Sequence, residues 1–213
     1  GNIGKVKPTE ASLIYLSNFT LEATELNKMK YLLKNNRDGQ KAVYKTSVDV
    51  TQNQRYINFT FDAENTQYYC PFDNYNDIHS CGDAVEVIIG IDDERKTYYE
   101  LEVNPNNVKM LAKMTVTELD DEGGAKLKID FVDEKDCFFQ SDVRHTDNGY
   151  VVDISIDKAK LNMPLDKIYF NAYRLETDGG EMEKHLFALN PTMCGKFHVP
   201  TRYVMLLDYL AVK

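Results

Sequence analysis

Apolar and polar residues alternate along most of this sequence with a period of two. In the segment RYINFTFDA, the residues Ile57, Phe59 and Phe61 form one apolar side. The same alternation recurs in DAVEVIIGI, TYYELEVN, GYVVDISI and DKIYFNAY. Strict alternation over runs of this length is typical of β-strands with one side in a core.

Turn sequences separate these runs: RDGQ, DDERK, NPNN, DDEGG, TDNG and TDGG. About ten short strands with polar turns predict an all-β protein, a two-sheet antiparallel β-sandwich with a jelly-roll-like arrangement. Residues 12–16 are one further candidate strand. Residues 20–36 have apolar spacing suited to a helix, and residues 157–162 predict a helical turn. Because no repeat or linker is visible, we expect a single domain over residues 1–213.

Composition limits the partners of this protein. The chain carries 25 Lys and Arg against 34 Asp and Glu, a net charge of −9, which disfavours nucleic acid. No apolar run reaches the length of a membrane span. The sequence begins with glycine and not methionine, which is compatible with a removed leader and favours an extracytoplasmic over a cytoplasmic location.

Polar residues follow one side of the predicted central strands. Alternation places Glu86, Glu100, Glu102 and Asn104 together, and we expect this side of the sheet to be exposed. A later strand adds Asn171 and Tyr173, with Arg174 at its end, where the side chain could turn to the same side. Acids, amides and tyrosines suit sugar hydroxyls and the apolar side of a pyranose. The alternative is an ordinary solvated sheet surface.

Several other kinds of site remain open. The sequence contains none of the common enzyme motifs. Two acids such as Glu86 and Glu102 are conceivable as the acid–base pair of a glycosidase. Acidic loops could hold calcium, with Asp73, Asp77, Asp92 and Asp93 as candidates. The loop before the DAVEV strand could instead contain a disulfide between Cys70 and Cys81 or a zinc site, and the alternative is that all four cysteines are reduced thiols. The possible zinc ligands are Cys70, His79, Cys81, Cys194 and His198.

Four segments in order resemble the family 9 carbohydrate-binding modules and their free-standing relatives in the DOMON-like group. These segments are GDAVEVIIGID, TYYELEVNPNN, KIYFNAYRLE and ALNPTMCGKFHVPTRYVMLLD. The resemblance covers roughly residues 40–210 and implies a non-catalytic β-sandwich, often with structural calcium. Sugar-binding members clamp a terminal sugar between two tryptophans, while Glu, Arg and Asn hydrogen-bond to its hydroxyls.

The resemblance also implies a set of site residues. The motifs assign ligand hydrogen bonds to Glu86, Asn104, Asn171 and Arg174. This protein has no tryptophan. Near the first tryptophan position, the loop before the DAVEV strand offers Tyr75, Ile78 and His79. Near the second, the chain offers Tyr173 or Phe187. Glu102 stands where sugar-binding members have an arginine.

We therefore expect a carbohydrate-binding module for a mono- or oligosaccharide end. Two alternatives remain. One is an interaction or structural sandwich that has lost the sugar. The other is a haem-binding relative, in which Met110 or Met114 would pair with His185 on the iron.

Overall fold

The computed structural model describes residues 28–79 and 82–210, which form two antiparallel β-sheets. The larger sheet has eight strands, in the order β1 (Lys34–Asn35), β11 (His185–Ala188), β10 (Tyr169–Glu176), β4 (Ala84–Gly90), β5 (Thr97–Val103), β6 (Lys109–Leu119) and β7 (Ala125–Phe131). Its eighth strand, β12 (Val204–Met205), pairs with the start of β10, which β11 does not reach. The smaller sheet has the order β2 (Thr46–Gln52), β3 (Tyr56–Glu64), β9 (Gly149–Asp157) and β8 (Phe139–His145). The predicted two-sheet sandwich is confirmed.

The main core lies between the two sheets. Phe59 of β3 is paired with Ile154 of β9, and both are completely buried. From the larger sheet, Val87 and Phe170 reach the same cluster. The inward residues are those that the alternation of the sequence assigns to the core, since successive side chains of a strand point to opposite sides.

The opposite side of the larger sheet is also buried, contrary to our expectation. Every residue of β4 is buried, including Glu86 and Ile88. A second apolar cluster covers this outward face, and its members are Ile78, Ile88, Tyr98, Val108, Met110, Ala112, Met114, Tyr173, Ala188, Phe197 and Tyr203. Alternation identifies which residues share a face, but it does not show that loop segments fold over that face.

The two helical predictions have different outcomes. Residues 158–161 form the helical turn α1 (Lys158–Leu161), as predicted. The carboxylate of Asp157 caps it by accepting hydrogen bonds from the backbone N–H groups of Ala159 and Lys160. The helix predicted for residues 20–36 is wrong at its end, where β1 forms, and residues 20–27 lie outside the described residues.

The described residues contain no helix that is long and apolar enough to cross a membrane. The predicted strand at residues 12–16 lies outside the described part of the chain. The single-domain boundary of 1–213 therefore stays a prediction, while residues 28–79 and 82–210 supply both sheets.

Candidate functional site

Three glutamates lie side by side on the outward face of the larger sheet. Glu86 of β4 is directly opposite Glu102 of β5, and Glu100 is two residues earlier on the same side of β5. Their exposed fractions are 2%, 4% and 6%, respectively. Acidic residues are rarely buried this deeply unless a partner compensates their charge.

Two aromatic residues that follow β11, Phe197 and Tyr203, cover the face on which these carboxylates lie. The ring of Phe197 stacks on Tyr173 with centroids 4.1 Å apart, and the Tyr173 hydroxyl donates to the Phe197 carbonyl. Tyr203 packs edge-on against Tyr98 of β5. On the other side, Ile78 packs into the same outward-face cluster. Tyr173 is completely buried, so the prediction that it offers an exposed stacking surface is wrong.

Burial and mutual repulsion control the protonation of the glutamates. Burial raises the pKa of Glu86 well above its usual value, and the charge of Glu100 raises it further. The pKa of Glu102 is raised by the same two causes. Burial opposes ionisation of Glu100 as well, but hydrogen bonding to Glu86 and the charge of His198 bring the pKa of Glu100 below its usual value. The cluster is therefore arranged around one ionised carboxylate and two that hold their protons more tightly.

His198 completes this cluster from the chain end. Its Nε2 lies 3.5 Å from Oε2 of Glu100, and its Nδ1 is 2.9 Å from the hydroxyl of Tyr98. From the sequence, His198 was expected only in a possible cysteine-containing zinc site. The relevant signal was the FHVP segment near the end of the chain, but its proximity to Glu100 is not apparent from a sequence separation of almost one hundred residues.

The side-chain oxygen of Asn104 makes structural hydrogen bonds, whereas its side-chain nitrogen has no hydrogen-bond partner among the described residues. Its Oδ1 accepts hydrogen bonds from the backbone N–H groups of Asn106 and Val108, each at 2.9 Å, and so shapes the turn between β5 and β6. Its Nδ2 is buried and has no hydrogen-bond partner among the described residues. The same is true, within the described part of the chain, of Oε2 of Glu86 and Oε2 of Glu102. Buried polar atoms without partners are rare in folded proteins and call for a reason.

Asn171 is on the outward face as predicted, but its amide is engaged. Its Nδ2 donates to the Tyr173 hydroxyl at 2.9 Å and to the Asn190 carbonyl at 2.8 Å. Its Oδ1 accepts from the backbone N–H of Asn190 at 3.0 Å. These contacts hold the covering segment, which is the chain from Asn190 to Tyr203, against β10.

Arg174 does not turn toward the glutamates, and this part of the expectation is wrong. As the next residue after Tyr173, it points between the two sheets, where its guanidinium donates to Oγ1 of Thr46 at 2.8 Å and to the Glu64 carbonyl at 2.7 Å. The guanidinium also lies over the ring of Tyr150. Arg174 is completely buried, and its contacts join the sheets of the sandwich.

The loop before β4 contributes less than the resemblance implies. The Tyr75 hydroxyl donates to the Val132 carbonyl at 2.8 Å, and its ring packs at the border of the core between the sheets. Tyr75 is therefore not brought together with the glutamates. His79 ends a 3-10 turn that begins at Asp77. The side chain of His79 lies outside the described part of the structure, as do Ser80 and Cys81.

The acidic loops do not form a second cluster. Asp73 and Asp77 are exposed in one loop, while Asp92 and Asp93 follow β4. The carboxylate of Asp92 accepts from the backbone N–H groups of Glu94, Lys96 and Thr97, which stabilises the turn. Across residues 28–79 and 82–210, the group with metal-ligand spacing is Glu86, Glu100 and His198, whose ligand atoms lie within 4.8 Å of one another.

The haem alternative gains no support from the arrangement of the strands. Met110 and Met114 lie on β6 and His185 lies on β11, with three strands between them. At about 4.8 Å per strand, this places the two strands about 19 Å apart, too far for two ligands of one iron. Cys70 and Cys194 are free cysteines in the structure.

The fold is that of the family 9 carbohydrate-binding modules. A module of this family from Caldicellulosiruptor kristjanssonii in complex with glucose matches with a TM-score of 0.56 and 13% sequence identity, covering 81% of each chain. Its complex with cellotriose gives a TM-score of 0.57 at 13% identity, covering 81% of this chain and 78% of that one. A Bacteroides uniformis ATCC 8492 protein to which carbohydrate binding has been ascribed matches with a TM-score of 0.63 at 13% identity, covering 81% and 82%.

No protein-family model matches the sequence, and no curated protein matches it. The four short motifs and the structural matches agree on the architecture. The chain therefore has the β-sandwich fold of a family 9 carbohydrate-binding module.

Proposed function

We propose that this protein is a non-catalytic carbohydrate-binding module that holds a sugar end on the outward face of the larger sheet. The observation that carries the proposal is that three of the buried polar atoms without a hydrogen-bond partner among the described residues come from neighbouring positions of this face. They are Oε2 of Glu86, Oε2 of Glu102 and Nδ2 of Asn104, all on the same side of β4 and β5 or the turn that follows.

These atoms match the hydrogen-bonding needs of a sugar. A hydroxyl can donate to a carboxylate oxygen and accept from an amide N–H, so neighbouring hydroxyls of one pyranose would satisfy all three atoms. The buried aromatic residues Phe197 and Tyr203 pack over the same face and would form a wall beside the sugar. Two structural neighbours with this fold are complexes with glucose and cellotriose, which supports a saccharide as the ligand.

The proposal gives different roles to the residues that the resemblance selects. Glu86, Glu102 and Asn104 would bind the sugar directly. Asn171 and Tyr173 would instead hold the covering segment, because their polar atoms bond to each other and to that segment. Arg174 would act only through the stability of the sandwich, since its guanidinium lies between the sheets.

The test is a calorimetric titration with glucose, cellotriose and a panel of other mono- and oligosaccharides, in chelator and again with calcium. The informative variant is Asn104→Asp, which keeps an oxygen for the two backbone N–H groups and removes the free amide donor. We expect it to weaken sugar binding by about tenfold, because a hydrogen bond to a ligand is worth about 1 kcal/mol. Asn106→Asp, an exposed change of the same charge in the same turn, should bind like the wild type.

Two results would contradict the proposal. One is the absence of saturable binding across the panel by a protein whose circular dichroism shows it folded. The other is equal sugar affinity of wild type and Asn104→Asp, which would place the ligand elsewhere on the molecule.

A further inference from the structure

We infer that Glu86, Glu100 and His198 form a binding site for a divalent transition-metal ion of the zinc type. Strands β4 and β5 supply the two carboxylates, and the segment that covers the outward face supplies the imidazole. The site shares Glu86 with the proposed sugar face, but it is tested separately, because ion binding can be measured with no saccharide present.

The distances between the ligand atoms are compatible with a metal ion between them. Nε2 of His198 is 3.5 Å from Oε2 of Glu100, which is long for a hydrogen bond. Two ligands that each lie 2.0–2.1 Å from a tetrahedral zinc ion are about 3.3 Å apart. One atom from Glu86, one from Glu100 and one from His198 already lie within 4.8 Å of one another, so small side-chain movements would bring them to ligand positions.

The histidine has the orientation that a metal ligand needs. Its Nδ1 is 2.9 Å from the hydroxyl of Tyr98, which leaves Nε2 directed at the carboxylates. Metal-binding histidines usually have their second nitrogen held by such a partner, which fixes the ring. Tyr98 is 2% exposed, so its hydroxyl is a fixed partner and not a mobile surface group.

The buried carboxylates supply oxygen ligands that the solvent hardly reaches. Glu86 is 2% exposed, and its Oε2 has no hydrogen-bond partner in the described residues. Glu102, also buried, adds a third acidic group beside this pair. A divalent ion would bind Glu86 and Glu100 as carboxylates and release the proton that a buried acid otherwise holds.

The set of ligand atoms indicates which ion. Calcium and magnesium prefer sites made only of oxygen, whereas an imidazole nitrogen with carboxylates suits zinc, manganese and related ions. Three protein ligands leave a position for water or for an oxygen of a bound molecule. The side chain of His198 is 23% exposed, so an ion can reach the cluster from that side.

The experiment is a calorimetric titration of the chelator-treated whole chain with zinc chloride, repeated with manganese and calcium chloride, in the absence of sugar. We expect one zinc ion per chain and weaker binding of calcium. His198→Gln and Glu100→Gln should each weaken zinc binding at least tenfold. His145→Gln is the matched control, because Nδ1 of His145 is also bonded to a tyrosine hydroxyl, that of Tyr68, at 2.9 Å; it should bind zinc like the wild type.

Failure of the wild type to bind zinc, or unchanged affinity in both variants, would overturn the inference. If those variants do not fold, Glu86→Gln and the visible spectrum of the cobalt-loaded wild type decide the question. A spectrum of nitrogen and oxygen ligands supports the site. Strong thiolate charge-transfer bands would place the ion at cysteines and overturn it. If the wild type binds zinc but binds none of the saccharides, the proposed sugar function is refuted and the metal site stands.

Discussion

Replacing Glu102 by glutamine should stabilise the protein at neutral pH. Glu102 is 4% exposed and lies directly opposite Glu86, so its ionisation inside the fold is disfavoured first by burial and then by the charge of Glu100. Glutamine has the same shape, carries no charge and can still donate to the ionised Glu100. The change therefore removes an electrostatic cost and keeps the packing.

The magnitude follows from proton uptake on folding. An unfolded glutamate has a pKa of about 4.3, and each pH unit corresponds to about 1.4 kcal/mol. Holding Glu102 protonated in the fold at pH 7 costs about 3.7 kcal/mol at most. Since the new amide must also find partners, we expect a gain of about 1–3 kcal/mol in the free energy of unfolding.

The pH dependence has a definite sign. The pKa of Glu102 in the folded state is raised above its unfolded value, so the wild type loses stability relative to the variant as the pH rises from about 4 toward the folded pKa. The advantage of Glu102→Gln should therefore be largest at pH 7 and vanish near pH 4.

Urea denaturation in chelator at pH 4, 5.5 and 7 measures this difference through the transition midpoint. The control is Glu118→Gln, an exposed glutamate of β6 that pairs with Lys126, which should change stability by less than about 0.5 kcal/mol. A loss of stability at pH 7, or a gain that is the same at all three pH values, would refute the reasoning about the buried acids.

Three further changes test the structure around the site by denaturant unfolding. Arg174→Met should cost about 1–3 kcal/mol, because it removes the guanidinium that donates to Oγ1 of Thr46 and to the Glu64 carbonyl; a near-neutral result would contradict the joining role of the arginine. Tyr173→Phe should cost about 1–3 kcal/mol by removing the hydroxyl that donates to the Phe197 carbonyl, and unchanged stability would show that this bond does not hold the cover. Asp157→Ala should cost about 0.5–2 kcal/mol through loss of the cap of α1, whereas Asp157→Asn should retain most of it; equal losses would argue against the cap.

The sequence itself determined most of the architecture. Alternation identified the strands and the inward residues such as Phe59 and Phe170, because a period of two is a local consequence of strand geometry. It also placed Glu86, Glu102 and Asn104 on one face. The order of four short motifs indicated the family whose fold the structure shows.

Only the tertiary structure decided what happens on that face. A polar side of a strand reads as solvent-exposed unless another part of the chain covers it, and here Phe197, Tyr203 and Ile78 arrive from distant segments. The side taken by Arg174 depends on its long-range partners Thr46 and Glu64. The meeting of His198 with Glu100 likewise depends on chain folding over almost a hundred residues, and local periodicity carries no information about such contacts.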